Sequence, residues 1–342
     1  MDRRWICNDI WMDMFPFFDR PQLGLKLALL SPRFELLVDK HFDGQSELTI
    51  WRHIEIRKDI NSENAKLFVR IKTNLEEEGN FVEFPLPERQ LPSKICFGSL
   101  QIDYIDHSVI AFLRSNKHVF NRGSSVCLRL SNQTSIWNFF AHEIWPVFAP
   151  NICHLFFPNS SHLQNLRCFI SPTILSDLNT NSMCSGNLLP AVIGAGDEPN
   201  ATSGQALAKW LHMPRSDGKP KRLCCAYINA SKTKKWINKF KEEFLRSTTS
   251  ANYTITLLFR SLAPPIEPFE LVNERTNEVL TLDEKAADED GWMLKRRKIG
   301  ETAAVQRKDE KKLNVVYFYL KDNSCIGPLS PPTTGQSDGK DI

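Results

Sequence analysis

His142-Glu143 opens like H-E-x-x-H, the helical spacing that puts two imidazoles on one zinc ion with a carboxylate beside it. The position due for the second histidine is Pro146, so metalloprotease chemistry fails at its own spacing. The pair reads instead as the polar edge of a helix whose Ile136, Phe140 and Ile144 face a core. Gly194 and Gly196 in VIGAGDEPN give G-x-G without the third glycine, and proline follows rather than a helix, so no dinucleotide fingerprint is expected. Cys153-His154 and Cys224-Cys225 hold metal-ligating and nucleophilic side chains. Both pairs lie in strand-like runs, where neighbours point to opposite sides, and are expected to be ordinary buried thiols. No nucleophile, base and orienting group stand at motif spacing. The chain is therefore expected not to be an enzyme, with no catalytic residue, no metal site and no cofactor.

Two basic runs raise the question of nucleic acid. Lys232, Lys234, Lys235, Lys239 and Lys241 line the outer side of a helix whose Trp236, Phe240 and Phe244 recur at i, i+4 and i+8, the pattern of a solvated face opposite a core face. A nucleic-acid groove needs further cations and stacking groups from elsewhere. The net charge of +3, from 43 Lys and Arg against 40 Asp and Glu, gives no general pull toward phosphate, membrane or acidic substrate. Lys295-Arg296-Arg297-Lys298 resembles a nuclear-import signal but sits between strand-like segments. Asp9 and Asp13 interrupt the apolar run that a signal peptide would need after Arg3 and Arg4. No later run reaches the roughly 18 uncharged apolar residues of a membrane span. Nine cysteines, an odd number with no C-x-x-C pair, fit neither a disulfide framework nor a zinc module. A cytoplasmic chain is expected, with nuclear entry as the second option and neither nucleic acid nor membrane as a partner.

The elements that would position any site are legible from periodicity. At 342 residues the chain exceeds the size at which single cores stop growing, so a small module plus one larger domain is expected. LTIWRHIEIR (48–57) and KLFVRIK (66–72) alternate as strands, while the charged, proline-rich 74–93 reads as a loop. Strands are then expected from near Ile95, Val126, Ile152, Ile174, Leu223 and Tyr253, and helices over 108–115, 135–148, 162–170, 204–212 and 231–246. Connections of that length favour crossover helices and parallel pairing, in an α/β layered sheet or an open β/α solenoid. NICHLFFPN (151–159) partly echoes the leucine-rich pattern L-x-x-L-x-L-x-x-N, so a leucine-rich-repeat-like sheet is one form of that solenoid. Residues 268–282, 291–299 and 314–320 read as a strand meander with a turn at Asn273 to Asn277.

The opening stretch, Trp5 to Phe42, reads as three short helices. Asp9 is a plausible cap for a first helix with one face made by Ile10, Met14, Phe17 and Phe18 and a second by Trp11, Phe15 and Phe18. Asp19 with Pro21, and Ser31 with Pro32, signal the starts of two more. Three helices this short cannot bury two apolar faces each among themselves, so the surplus face packs on the rest of the chain or on another protein.

In register, Ile6 to Phe18 resembles the F-box opening L-P-x-E/D-L-L-x-x-I-F-x-x-L, and Gln22-Leu23 with Leu29-Leu30-Ser31-Pro32-Arg33-Phe34 resembles its D-L…V-C-R-x-W half. Cys7 stands at the family's usual proline, Trp11 at a leucine and Phe34 at the tryptophan, and Pro16 falls near the end of the first helix. Further on, QIDYIDHSVIAFLRSN, NFFAHEIWPVFAPNICHLFF, ATSGQALAKWLHMP, WINKFKEEFLRSTTS and PFELVNERTNEVLTL together resemble the F-box-associated region of the expanded nematode F-box families, those of cyst nematodes especially. The resemblance implies an α plus α/β architecture: a three-helix F-box over 1–45 and a β/α target-binding domain over 46–330, with a disordered tail over 331–342. It implies a substrate-recognition subunit of a Skp-cullin-F-box ubiquitin ligase. Ile6, Cys7, Ile10, Trp11, Leu29, Leu30 and Phe34 would meet a Skp-type adaptor, and through it a cullin, while the larger domain captures a target protein through residues not yet assigned. An adaptor-binding scaffold or competitor without a ubiquitylation role, and an unrecognised α/β enzyme, are the alternatives.

Overall fold

The computed structural model describes residues 6–44, 49–71, 80–92, 95–121, 123–178, 180–260, 266–284, 291–300 and 314–330. These form a mixed α/β fold with thirteen strands. Its contacts group the chain into two compact units, 1–119 with 320–342, and 120–319. The expected boundary between 45 and 46 falls inside the first of them. The expected tail, 331–342, lies outside the described residues.

In the first unit, α1 (Asn8–Met14) is followed by a 3-10 turn, Phe15–Phe17, with Pro16 near its start. Proline has no N–H to continue the α-helical ladder, which is why α1 ends after two turns. A continuous helical run over 20–30, α2, begins with Pro21 in its first turn. The last helix of the three, α3 (Pro32–Asp43), is capped by Ser31, whose Oγ accepts from the Phe34 N–H at 3.4 Å. The first helix differs from expectation at its cap. Cys7 occupies that position and Asp9 lies inside the first turn, where a carboxylate favours the positive end of the helix. Four strands follow, β1 (Thr49–Lys58), β2 (Ala65–Ile71), β3 (Asn80–Pro85) and β4 (Ile95–Ile102), in the order β4-β1-β2-β3, with β4 parallel to β1 and the other pairs antiparallel. β3 corrects the loop expected over 74–93: the alternation in NFVEFP, with Phe84 buried against Leu67, outweighs the surrounding charge and proline. Ile54, Ile56, Leu67, Val69, Leu100 and Ile102 make one face of this sheet, each 1 % exposed or less. Helix α4 (His107–Ser115) is capped by Asp106, which accepts from the Ser108 and Val109 N–H groups and also from the Ala65 N–H at 2.8 Å, tying the start of β2 to the helix.

In the second unit strands and helices alternate: β5 (Ser124–Leu130), α5 (134–148), β6 (Ile152–Phe157), α6 (Ser160–Phe169), β7 (Ser182–Gly186), α7 (Ser203–His212), β8 (Lys221–Ile228), α8 (Ala230–Arg246) and β9 (Tyr253–Phe259). Strands β5 to β9 pair in parallel, each beside the one before it. The expected meander is realised by β10 (Phe269–Asn273), β11 (Glu278–Glu284) and β12 (Trp292–Lys298), which continue antiparallel from β9. The turn at Asn273 to Asn277 is present, with Asn273 Oδ1 accepting from the Arg275 N–H and Asn277 at φ 53°. Both edges of β12 are taken by β11 and β9, so β13 (Val315–Leu320) leaves the meander and lies beside β5. The strand expected from Ile174 is a helical turn, Ile174–Asp177, because the Pro172-Thr173 pair starts a turn. The strand at this point of the rhythm is β7, whose short SMCSG sequence has no β-branched residue. In α5 the ladder widens to a π turn at Phe140–Ile144 before Pro146, which cannot donate to the carbonyl four residues back. Among the described residues no helix is long and apolar enough to cross a membrane.

Candidate docking surface

The two apolar faces of α1 have separate fates. Phe15 is fully buried and meets the His41 ring edge-on at 5.5 Å, and Trp11 sets its edge on Phe34 at 4.9 Å, so the Trp11 and Phe15 face is the inner one. Leu23, Leu25, Leu37, Val38 and Phe42 of the following helices are buried as well. The other face stays in solvent: Ile10 is 53 % exposed, Met14 40 % and Phe17 88 %. Arg33 fixes how this face is presented. Its guanidinium donates to Asn8 Oδ1 at 2.6 and 2.9 Å and to the Ile6 carbonyl at 2.6 Å, clamping the start of α1 to the start of α3.

The seven residues implied by the F-box resemblance divide in the same way. Ile6, Cys7, Ile10 and Leu30 are exposed, while Trp11, Leu29 and Phe34 are half-buried. Met14 and Phe17 add to the exposed set; their i, i+4, i+7 relation to Ile10 was the available signal. Large apolar side chains grouped on one helix face, rather than scattered singly, mark an interaction surface.

The structure also places the residues that could do chemistry. His142 is exposed, and its ring bonds the Asn138 carbonyl of its own helix at 2.7 Å. Among the described residues no three His, Cys, Asp or Glu side chains gather as metal ligands. The 185–204 segment that holds Gly194 and Gly196 is pinned by the buried Arg167, which donates to the carbonyls of Pro172, Glu198 and Ala201. Asp197 in the same segment accepts from Lys209 and Ser176, which hold its carboxyl below the usual range. The thiols depart from expectation. Cys225 is buried, and burial raises its pKa, but Cys224 is half-exposed and Cys153 exposed. A register shift, in which Ser124 faces Ile152 and Ser125 faces His154, leaves Cys153 opposite no residue of β5, while its carbonyl accepts from the Asn181 N–H at 3.1 Å and its thiol donates to the Ser124 carbonyl at 3.3 Å. The 295–298 basic run is folded into β12, with Arg296 buried in an ion pair to Glu278 at 2.7 Å.

One constellation was invisible in the sequence because its members lie far apart in the chain. On the β1–β4 ladder, His53 Nδ1 is 2.5 Å from Ser99 Oγ and His53 Nε2 is 2.8 Å from Glu55 Oε1. Burial, then the nearby Arg70 and Arg57, lowers the His53 pKa, so a neutral imidazole accepts from the serine and donates to the carboxylate. That is the proton-relay half of an acyl-transfer site. The other half, donors converging on a developing oxyanion, is not built at this mid-sheet position, and Glu55 is shared with Arg57. The cluster reads as a cross-strand network joining β1 to β4. Two shallow depressions, of about 400 and 410 Å³, lie along α8 and are lined by Lys234 and Lys235 and by Val192, Ile193 and Trp236.

Comparison with protein families, with curated proteins and with solved structures finds no match for this chain.

Proposed function

We propose that the chain is a substrate-recognition subunit of a cullin-RING ubiquitin ligase. Its three N-terminal helices serve as an F-box-like module that docks a Skp-type adaptor, and the remaining β/α part receives a target protein. The observation that carries this reading is the exposed apolar row Ile10, Met14 and Phe17 along α1 and the 3-10 turn after it, whose opposite side is taken up by the buried Phe15 and the half-buried Trp11. A helix needing only one face for its own fold has the second available for a partner. Ile6 and Leu30, exposed and matched to the F-box pattern, belong to the same docking set.

The structure makes Ile10 and Phe17 cleaner probes than Trp11, whose removal would also unpack Phe34. Interface energy concentrates in a few apolar anchors worth about 2 kcal/mol or more each. The double variant Ile10→Asp with Phe17→Asp is expected to weaken binding to a purified Skp-type adaptor by about 30-fold or more. Its thermal unfolding should match wild type, since both side chains are already in water. Calorimetric titration that detects no adaptor binding by the wild-type chain, or equal binding by the double variant, removes this function.

A further inference from the structure

Among the described residues, the crossover helices of the second unit pack on one face of its strands. Phe318 of β13 meets Phe140 and Phe148 of α5 at 5.2 and 5.5 Å. The Lys221 ammonium lies over the Trp210 ring of α7 at 4.7 Å, and the Tyr253 ring faces Phe240 of α8. Residues one step along these strands point the other way and carry no helix: Tyr317 and Tyr319, Arg222 and Cys224, Thr254 and Thr256, all partly or fully exposed. The cause is topological. Crossovers between parallel strands share one hand, so an order running β5 to β9 without reversal stacks every crossover helix on the same side.

The face that carries none of these helices, on which Cys127 and Met293 are nonetheless buried, has a charge bias that the whole chain lacks. None of strands β5 to β9 and β13 contains Asp or Glu. Arg129 and Arg222 are exposed on it. The Arg129 guanidinium lies 5.0 Å over the Tyr319 ring and bonds the Cys127 thiol, whereas the Arg222 backbone N–H donates to the Asn181 carbonyl and its side chain is exposed. The register sets Lys295, Thr254, Arg222, Ser182 and His154 in one row across five strands. Lys295 at the end of this row is paired with Asp283 at 3.7 Å, which leaves Arg222 and His154 two strands, about 10 Å, apart on the acid-free strands.

We propose that this face docks an acidic, extended segment of a partner protein, with Arg222 and Arg129 as its charge anchors and the Tyr317–Tyr319 pair as an apolar flank. The proposal rests on the substrate-receptor reading, in which the segment belongs to the captured target. Charge-assisted, bidentate contacts to carboxylates suit isolated arginines on a largely neutral surface. Nucleic acid suits it less well, because polyanion binding is built from many phosphate contacts and this face offers few cations across six strands.

The test uses the full chain and a fluorescein-labelled decaglutamate peptide, read by anisotropy at low salt. Arg222→Glu and Arg129→Glu are each expected to weaken binding about tenfold, and Arg222→Ala to give a smaller loss in the same direction. The double variant Lys234→Glu with Lys235→Glu removes as much positive charge or more, but from the outer side of α8, and should change affinity less than twofold. Absence of saturable binding by wild type, an equal loss in the α8 variant, or displacement of the peptide by an oligouridylate of equal length would each overturn the proposal. Adaptor binding measured on the same proteins should be unchanged by Arg222→Glu. Loss of adaptor binding in wild type with peptide binding intact would instead strike the substrate-receptor reading alone.

Discussion

The strands of the two units treat their non-core faces in opposite ways. In the first unit that face is neutralised by its own residues: Glu55 is held between His53 and Arg57, Lys66 bridges Asp59 and Glu83, and Arg57 and Arg70 lie over Phe81 at 5.3 and 5.0 Å. In the second unit the strands from β13 to β9 carry arginines and no carboxylate on the corresponding face, and the deepest ion pair among the described residues, Arg296 with Glu278, sits on the helix-covered side. Charge that a fold satisfies internally serves stability, whereas charge left facing water without a partner is available for recognition.

Substitutions that remove one charge from each setting should therefore rank in a definite order. The largest effect is expected at Glu278. Burial pushes its carboxyl up, but hydrogen bonds from Arg296, Ser250 and the Ala251 N–H outweigh burial and hold its pKa below the usual value. Glu278→Ala strands Arg296 in the core and should cost about 3–5 kcal/mol in urea unfolding. Glu55→Ala, in the self-neutralised face of the first unit, should cost about 1–3 kcal/mol, because it leaves His53 and the half-exposed Arg57 without their acceptor. Arg222→Ala should lie within about 0.5 kcal/mol of wild type in the same assay. A loss at Arg222 as large as that at Glu55 would show its charge to be structural, and the contrast between the two faces would fail.

Much of this fold is legible in the sequence, and the exceptions have physical causes. The runs ICHLFF and YTITLLF, and the i, i+4, i+8 spacing of Trp236, Phe240 and Phe244, announce β6, β9 and α8 because each has a core on one known side. SMCSG does not announce β7, since its small side chains gain their place from neighbours on both edges rather than from propensity. β3 is masked by the acids and prolines around it. The candidate docking surface is half legible: the two apolar faces of α1 follow from spacing, but which one is inner depends on Phe34 and His41, two helices away. The Ser99, His53 and Glu55 cluster and the acid-free face are properties of strand register, which no local pattern states.

The unreversed order of β5 to β9 also bears on how such a chain can vary. Each of these strands hydrogen-bonds only to its immediate neighbours, and each crossover helix covers the sheet locally, as in a quasi-one-dimensional array. One strand and its helix can be gained or lost as a unit without redirecting any other connection. Insertion of such a unit between β6 and β7 would widen the acid-free face by one strand spacing, about 4.8 Å, and leave the β7–β8 and β8–β9 ladders as they are.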